Sequence, residues 1–260
     1  MTFNRRKFLS LAAGGVAASI WPLPRSAGKV SQRQFEVIAF DAFSIFDPRP
    51  IFQLAEAVFP GKGTDLSNAW RTRQFEYQWL RSLSGSYADF WQTTEDALVF
   101  SANLLRLDLP PEKRAQLMDA FLHLKAWPDV AAVLRALKQT GVRLTLLSNM
   151  TMKMLEAGIK EAGLEGFFAQ ILSTDRIHTY KPAPRAYQMA LDAFEVKRAE
   201  ILFVPFAGWD AAGAKWFGYP TFWVNRLGLP QEELGAAPDG VGRDLTDLTR
   251  FAQAPQFRRE

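Results

Sequence analysis

Apolar and polar positions are spaced differently in successive parts of this chain, and the spacing predicts its secondary structure. Residues 35–40 form a largely apolar run, typical of a buried strand, that ends just before Asp41. From about Ile51 to Lys125 the apolar positions recur at helical spacing, interrupted at three stretches that contain Pro or Gly. After Pro128, short apolar runs alternate with helical patterns, which predicts strands that alternate with helices.

This alternation predicts an α/β fold with a Rossmann-like parallel sheet. Parallel strands joined through helices form right-handed crossovers, which place helices on both faces of the sheet. The helical block after the first strand is then an insertion, a helical cap over the carboxyl ends of the strands, where open α/β sheets bind ligands. The predicted domains are the core at residues 28–48 and 126–253, the cap at residues 49–125, and a tail at residues 254–260. We expect strands at residues 35–40, 143–147, 168–172, 201–204 and 221–224, and helices between the later strands at residues 129–140, 152–162, 183–194 and 210–217.

The first 27 residues predict a targeting segment. Arg5, Arg6 and Lys7 precede an apolar run of mostly small residues at 11–21, which is the pattern of a bacterial twin-arginine (Tat) signal peptide. The run is too short for a membrane-spanning helix. We therefore expect export to the periplasm by the Tat translocase, with Ala27 as a candidate cleavage position. The alternative is a basic N-terminus with no targeting role.

Composition and charge narrow the functional classes. The net charge is +4, but residues 1–27 hold four basic residues and no acidic one, and without them 27 basic residues balance 27 acidic ones. A nucleic-acid partner is therefore not expected. The chain has no cysteine and two histidines, which excludes disulfides and thiolate catalysis and disfavours a multi-histidine metal site. We expect neither a metal nor a cofactor.

Asp41 and the pair Ser148–Asn149 are candidate chemical residues because each follows a predicted strand. A carboxylate at the end of a strand can act as a nucleophile when backbone N–H groups orient it. A hydroxyl beside free N–H groups at a helix start can hold a carboxylate or a phosphate. Taken singly, capping of a turn or a helix is the simpler explanation of each.

Lys181 and Asp210 follow later strands in the same way. A lysine near two carboxylates can fix the charge of a nucleophile and attract an anionic substrate, and a second carboxylate can orient water. A surface lysine and a capping aspartate are the alternatives. Tyr187, seven residues after Tyr180, and Trp209, next to Asp210, are further candidates for the same site.

The order of these motifs is more specific than any one of them. Asp41, Ser148-Asn149, Lys181-Pro182 and Asp210, each after a strand, resemble the motifs of the L-2-haloacid dehalogenases in the haloacid dehalogenase superfamily. The resemblance runs from about residue 35 to residue 247 and includes the cap stretch at residues 70–83. It implies the haloacid dehalogenase-like fold, a small 2-halocarboxylate as the molecule bound, and a homodimer.

The resemblance also implies hydrolysis of short 2-haloalkanoic acids in two steps. Asp41 would displace halide toward Arg71 and form an ester, which water, helped by Lys181 and Asp210, would then hydrolyse. Ser148 and the backbone after it would hold the substrate carboxylate, and an apolar wall would strengthen the nucleophile by desolvation. The further substrate-binding and wall residues implied are Phe43, Ser44, Phe75, Phe90, Asn149, Tyr187 and Trp209.

Three positions depart from the family pattern, and the first is Phe43, which lacks the hydroxyl of the family's Tyr. Superfamily phosphatases carry a second Asp where this chain has Phe43, so Phe43 disfavours phosphoryl transfer, which is kept as an alternative. The first motif is one residue shorter than the family's, so Ser44 stands for either its Gly or its Thr. The family's Ser-(Ser/Asn)-Asn is replaced by residues 205–207, Pro-Phe-Ala, and each lost hydrogen bond to the nucleophile or the water costs ~1–3 kcal/mol. A catalytically silent relative that binds a carboxylate is therefore a second alternative.

Overall fold

The computed structural model describes residues 35–253, which form an α/β fold around a four-stranded parallel sheet. The predicted targeting segment and the predicted tail lie outside these residues. The expected fold class is confirmed, and the strand order is β3-β2-β1-β4. The strands are β1 (Val37–Phe40), β2 (Arg143–Ser148), β3 (Gln170–Ser173) and β4 (Ile201–Val204).

The central strand β1 fixes which loops meet at the carboxyl edge of the sheet. Phe40 pairs with Leu146 on one side and with Val204 on the other, so β1, β2 and β4 end at nearly the same level. Alternate β1 side chains enter separate clusters, with Ile38 in the larger apolar core and Val37 in the smaller one. Helices therefore cover both faces, as parallel sheets require.

The fifth predicted strand is present but lies outside the four-stranded sheet, so the expectation of one continuous sheet is wrong. It forms β5 (Phe222–Val224) and pairs in parallel with β6 (Gly240–Gly242) in a separate two-stranded sheet. A single bridge between Phe203 and Thr221 connects this sheet to β4. The sequence did not predict β6, because Gly-Val-Gly offers no apolar run to mark a strand.

Ten α-helices are found in residues 35–253; six of them precede the second strand, and of these α2 to α5 fall within the predicted cap. The helices are α1 (Ala42–Ile45), α2 (Arg49–Val58), α3 (Gly63–Ser84), α4 (Phe90–Leu104), α5 (Pro111–Asp119), α6 (Val130–Gln139), α7 (Met152–Glu161), α8 (Pro184–Phe194), α9 (Gly208–Phe217) and α10 (Leu245–Gln253). The predicted breaks near residues 60, 84 and 110 coincide with the ends of α2, α3 and the start of α5. No helix in this part of the chain combines the length and apolarity needed to cross a membrane.

The long helix α3 is held by close packing at its start and by side-chain hydrogen bonds along its length. A Cβ at Gly63 would lie 2.1 Å from the Glu56 Cα, so only glycine allows α3 to begin this close to α2. Further on, the buried Trp70 indole donates to the Thr94 carbonyl of α4 at 2.7 Å. The Gln78 side chain then reaches the loop after β2, so α3 is attached at the carboxyl edge of the sheet.

Candidate active site

Asp41 leaves β1 and caps the one-turn helix α1. Its backbone N–H donates to the Val204 carbonyl at 3.0 Å, and its Oδ2 accepts from the Phe43 N–H at 3.1 Å. The capping alternative and the nucleophile prediction are thus compatible, because the cap hydrogen bond itself orients the carboxylate. The side chain is 13% exposed, which leaves it accessible to a small molecule.

Lys181 lies between Asp41 and Asp210. Its ammonium donates to Asp41 Oδ1 at 2.8 Å and to Asp210 Oδ2 at 2.6 Å. The Lys181 and Asp210 side chains are each only 1% exposed, so the surface alternative is wrong for Lys181. The capping alternative is wrong for Asp210, because α9 is capped at Ala207 without a side-chain hydrogen bond. Residues separated by 140 positions along the chain are brought into contact here, as the parallel sheet predicts.

The three charges set the protonation of this group. Burial alone would lower the pKa of Lys181, but the carboxylates of Asp210 and Asp41 outweigh it and raise that pKa above its usual value. Lys181 therefore stays protonated. Burial, with a contribution from Asp41, raises the pKa of Asp210 to about 6, even though Lys181 acts in the opposite direction.

Tyr187 requires a correction, because it was expected to bind substrate. The side chain is fully buried and does not line the cavity described below. Its hydroxyl donates to Asp210 Oδ1 at 2.7 Å, and burial followed by this contact raises the pKa of Tyr187. Tyr187 therefore positions Asp210 from behind the site.

Ser44 requires the same correction. It is fully buried, is not part of the cavity wall, and its hydroxyl donates to the Val204 carbonyl at 2.8 Å. Its own carbonyl accepts from the Arg226 guanidinium at 3.0 Å. Ser44 thus ties the short helix α1 to the end of β4 and cannot contact substrate.

Ser148 and Asn149 both line the cavity, but their side chains are already engaged. Ser148 Oγ accepts from the Met150 N–H at 3.1 Å, and Thr151, not Ser148 or Asn149, caps α7. Asn149 Nδ2 donates to Gln78 Oε1 at 3.0 Å, while its Oδ1 accepts from the Lys181 N–H at 2.8 Å. The Asn149 side chain thus links the cap helix α3 to the backbone of Lys181.

A cavity of about 380 Å³ opens from Asp41 toward the cap. Arg71 and Lys181 are the cationic side chains in its wall, and Arg71 makes no ion pair with any residue in 35–253. The predicted wall residues Phe43, Phe75, Phe90 and Trp209 all line this cavity. Phe75 and Trp209 are in edge-to-face contact, with ring centroids 5.4 Å apart.

Residues 205–207 are apolar at the positions where the family pattern has polar side chains, and Phe206 and Ala207 line the cavity. Phe206 packs against Phe43 and Trp127, with ring centroids 6.1 Å and 6.4 Å away. Asp41 and Asp210 therefore receive no side-chain hydrogen bond from this loop; their partners are Lys181, Tyr187 and backbone groups.

Several cavity residues were missed by sequence reasoning. Gln78 lies seven residues after Arg71, a helical spacing that could have placed both on the same face of α3. Trp79 also lines the cavity, and the loop after β5 contributes Leu227, Leu229 and Glu232. Nothing in the sequence marks this loop as a wall, because its position depends on the unpredicted pairing of β5 with β6. Within residues 35–253, no three acidic or histidine side chains are grouped to hold a metal ion.

The fold and site define a class of α/β proteins that place an aspartate after the first strand, a buried lysine and a second aspartate beneath a helical cap. A protein-family model described as haloacid dehalogenase-like hydrolase matches residues 28–218, and the chain belongs to that family.

Individual relatives narrow the comparison. The (S)-2-haloacid dehalogenase of Pseudomonas sp. (strain YL) is 43% identical over 203 residues, which cover 78% of this chain and 88% of the relative. The crystal structure of an L-2-haloacid dehalogenase superposes with a TM-score of 0.83 at 45% identity, covering 85% of this chain and 99% of that one. The Xanthobacter autotrophicus L-2-haloacid dehalogenase with chloropropionic acid covalently bound gives a TM-score of 0.79 at 32% identity, covering 85% and 99%.

Proposed function

We propose that this chain hydrolyses (S)-2-haloalkanoic acids, releasing halide and a 2-hydroxy acid. The observation that carries this proposal is the position of Lys181, which holds Asp41 and Asp210 through 2.8 Å and 2.6 Å contacts at the end of an apolar cavity. The relatives named above are 2-haloacid dehalogenases, and one of them has chloropropionic acid covalently bound.

In the first step an Asp41 carboxylate oxygen attacks C2 of the substrate from the side opposite the halogen. The new O–C2 bond forms as the carbon–halogen bond breaks, the halide leaves with the bonding electrons, and the configuration at C2 inverts. The apolar wall removes water from the nucleophile. Arg71, the cation of the wall without an ion-pair partner in the described residues, supplies positive charge for the leaving halide.

In the second step water attacks Cγ of the Asp41 ester. Asp210 accepts a proton from the water, and the Lys181 ammonium stabilises the oxyanion that develops on the ester. The bond between Cγ and the substrate oxygen then breaks, and the alkoxide takes up the proton to give the 2-hydroxy acid. Asp41 is regenerated with one oxygen that came from water.

A single turnover in ¹⁸O-labelled water tests this route. With L-2-chloropropionate, we expect chloride in solution and one heavy oxygen in the peptide that contains Asp41, measured by mass spectrometry. Asp41→Asn should release no halide while keeping its fold. Halide release at the wild-type rate from Asp41→Asn would show that Asp41 is not the nucleophile.

A second candidate function is binding of a small carboxylate without turnover, favoured by the loss of hydrogen-bonding side chains at Pro205 and Ala207. Thermal stabilisation by 2-chloropropionate with no halide released would support it. For the phosphatase alternative, Phe43 predicts no Mg²⁺-dependent release of phosphate from a generic phosphate ester.

Export is a separate part of the proposal. We propose that the Tat translocase carries the chain to the periplasm, on the strength of Arg5, Arg6 and the apolar run after them. Replacing both arginines by lysine should move the protein from the periplasmic to the cytoplasmic fraction of expressing cells; an unchanged distribution would count against the signal.

We also propose a homodimer. The last turns of α3 expose Leu80 and Leu83, which are 58% and 86% exposed, and a second copy could cover them. Light scattering on the purified protein should give twice the chain mass. A Leu83→Glu variant should shift that mass toward the monomer.

A further inference from the structure

The one-turn helix α1 orients the carboxylate of Asp41 but is too short to hold its own position. The Phe43 N–H of this helix donates to Asp41 Oδ2 at 3.1 Å, while the other carboxylate oxygen accepts from Lys181. The helix has only four residues, Ala42–Ile45, and short helices are unstable alone because their nucleation is costly. Groups outside α1 must therefore fix its position, and with it the orientation of Asp41.

Two distant residues satisfy the carbonyl groups at the end of α1. The Trp127 indole N–H donates to the Phe43 carbonyl at 3.0 Å, and the Trp127 backbone N–H donates to the Ile45 carbonyl at 3.0 Å. The Arg226 guanidinium donates to the Ser44 carbonyl, also at 3.0 Å. The last carbonyls of a helix have no partner within that helix, so these three hydrogen bonds secure the end of α1, and Trp127 supplies two of them.

The Trp127 ring is itself fixed by its neighbours. The residue is 6% exposed, and its ring packs against the Phe206 ring of the cavity wall, with centroids 6.4 Å apart. The guanidinium carbons of Arg49 and Arg226 lie 4.5 Å and 4.7 Å from the centroid of the indole. The indole N–H is therefore held in one direction, toward the Phe43 carbonyl.

Trp127 lies in the segment between α5 and α6, where the chain returns from the cap to the core. The outgoing and the returning segments run side by side next to it. Phe46 and Ala126 form an antiparallel bridge, and the Asp47 N–H donates to the Lys125 carbonyl at 2.8 Å. A change in the position of the cap would therefore reach α1 through Trp127.

We propose that Trp127 is a positioning residue for Asp41. By holding the end of α1, it sets the direction of the Phe43 N–H and hence of the carboxylate that attacks the substrate. Trp127 does not line the cavity described above, so it acts without touching the substrate. The effect on catalysis rests on the proposed function, whereas the effect on α1 is independent of any reaction.

Trp127→Phe tests this role, because it removes the indole N–H and keeps an aromatic ring against Phe206. With (S)-2-bromopropionate and the purified protein, we expect kcat for bromide release to fall roughly tenfold, because a less firmly held Asp41 reaches the attacking geometry less often. KM should stay within about twofold, because no cavity-lining side chain is changed. A residue that only stabilises the fold would leave kcat of the folded protein unchanged.

Thr145→Val is the matched control. Thr145 is buried, and its hydroxyl donates to the Gln170 carbonyl at 2.8 Å. This variant also removes a buried side-chain donor to a backbone carbonyl, but the contact joins β2 to β3 and not to α1. Thermal unfolding should show a similar loss of stability in the two variants, and kcat should be unchanged in Thr145→Val.

Hydrogen exchange, measured by mass spectrometry on the peptide that contains residues 41–46, reports on α1 directly. Exchange in this peptide should be faster in Trp127→Phe than in the wild-type protein and unchanged in Thr145→Val. Unchanged exchange in Trp127→Phe would overturn the claim that Trp127 holds α1.

The kinetic outcomes separate this inference from the proposed function. Faster exchange with an unchanged kcat, or an equal fall of kcat in Thr145→Val, would overturn the positioning role. Wild-type protein that releases no bromide would overturn the proposed function and the effect on catalysis together, and the exchange result would still decide whether Trp127 holds α1.

Discussion

At the scale of single residues, the buried carboxylate of Asp210 depends on two donors. Lys181 donates to one oxygen and the Tyr187 hydroxyl donates to the other at 2.7 Å. Both donors favour the ionised form, whereas burial and the charge of Asp41 disfavour it, and the pKa of Asp210 is raised to about 6. Asp210 can accept a proton from water only when ionised, so activity should fall as the pH drops through about 6.

Replacing Tyr187 by phenylalanine should move this acidic limb to higher pH. The variant removes a hydrogen bond that stabilises the ionised carboxylate, so the pKa of Asp210 should rise by about one unit. The kcat/KM profile of bromide release between pH 5 and pH 9 measures this value in the free enzyme.

Tyr219→Phe is the matched control for that variant. Tyr219 is also a buried tyrosine, but its hydroxyl donates to the Tyr187 carbonyl at 2.6 Å and not to a carboxylate. Its profile should keep the wild-type midpoint. An acidic limb that stays in place in Tyr187→Phe would show that Asp210 is not the group that titrates.

The same residues show what a single sequence can predict about a site. Asp41, Lys181 and Asp210 were predictable because parallel strands bring their carboxyl ends to one edge of the sheet. Tyr187 and Ser44 were assigned to substrate contact because motif order gives proximity but not direction. Whether a side chain points into the cavity or behind it depends on packing that no spacing rule specifies.

At the scale of elements, helix α3 is coupled to the loop after β2 through amide side chains. Gln78 accepts from Asn149 Nδ2, and Asn149 Oδ1 accepts from the backbone N–H of Lys181. The Gln78 amide nitrogen has no partner in the described residues and belongs to a cavity-lining side chain. A shift of α3 would therefore be transmitted through Asn149 to the backbone of Lys181.

Gln78→Leu should weaken both stability and activity. Loss of the acceptor leaves the buried Asn149 amide unpaired, which costs ~1–3 kcal/mol of unfolding free energy. We expect kcat/KM to fall roughly tenfold because Lys181 loses a fixed neighbour. Urea unfolding and halide release measure the two effects.

Gln188→Leu provides the comparison for Gln78→Leu. Gln188 donates to Asp192 within α8 at 2.8 Å, so this pair joins no two elements. Its loss should cost under ~0.5 kcal/mol and leave activity unchanged. Equal effects of the two variants would argue against a coupling through Asn149.

The prediction of elements succeeded where an apolar pattern and its breaks are visible in the sequence. It failed where a strand depends on contacts with distant residues. The helices α2 to α5 followed from breaks at proline and glycine, and the exact bounds of β4 followed from four consecutive apolar residues. The pairing of β5 with β6 did not, since it depends on the loop between them and on contacts with α10, where Phe251 packs against Phe222 at 5.0 Å.

At the scale of the whole molecule, one ion pair joins segments that are distant in the sequence. Arg226, after β5, donates to both oxygens of Asp129, before α6, at 2.8 Å and 3.0 Å. Asp129 Oδ2 also accepts from the Leu245 N–H at the start of α10. Arg226 further donates to the Ser44 carbonyl, so this ion pair connects α1 with the segment before α6 and with the start of α10.

Asp129→Asn should therefore destabilise the fold in a way that depends on pH. Burial acts to raise the pKa of Asp129, but the hydrogen bonds from Arg226 and Leu245 outweigh it, so the pKa lies below 3.8 in the folded protein. The ionised form thus stabilises the fold above pH 3.8, and this stabilisation is lost as the pH falls through the lowered pKa. Removing one partner of a nearly buried pair, whose arginine is 4% exposed, should cost about 3 kcal/mol at pH 7.

Urea unfolding at pH 7 and at successively lower pH measures this effect. The difference in unfolding free energy between wild type and variant should narrow below pH 3.8. Asp65→Asn, which removes an exposed 3.7 Å contact with Lys62, should cost under ~1 kcal/mol at pH 7 and serves as the control. A gap that does not change with pH would mean that the Asp129 side chain stabilises the fold through packing and not through its charge.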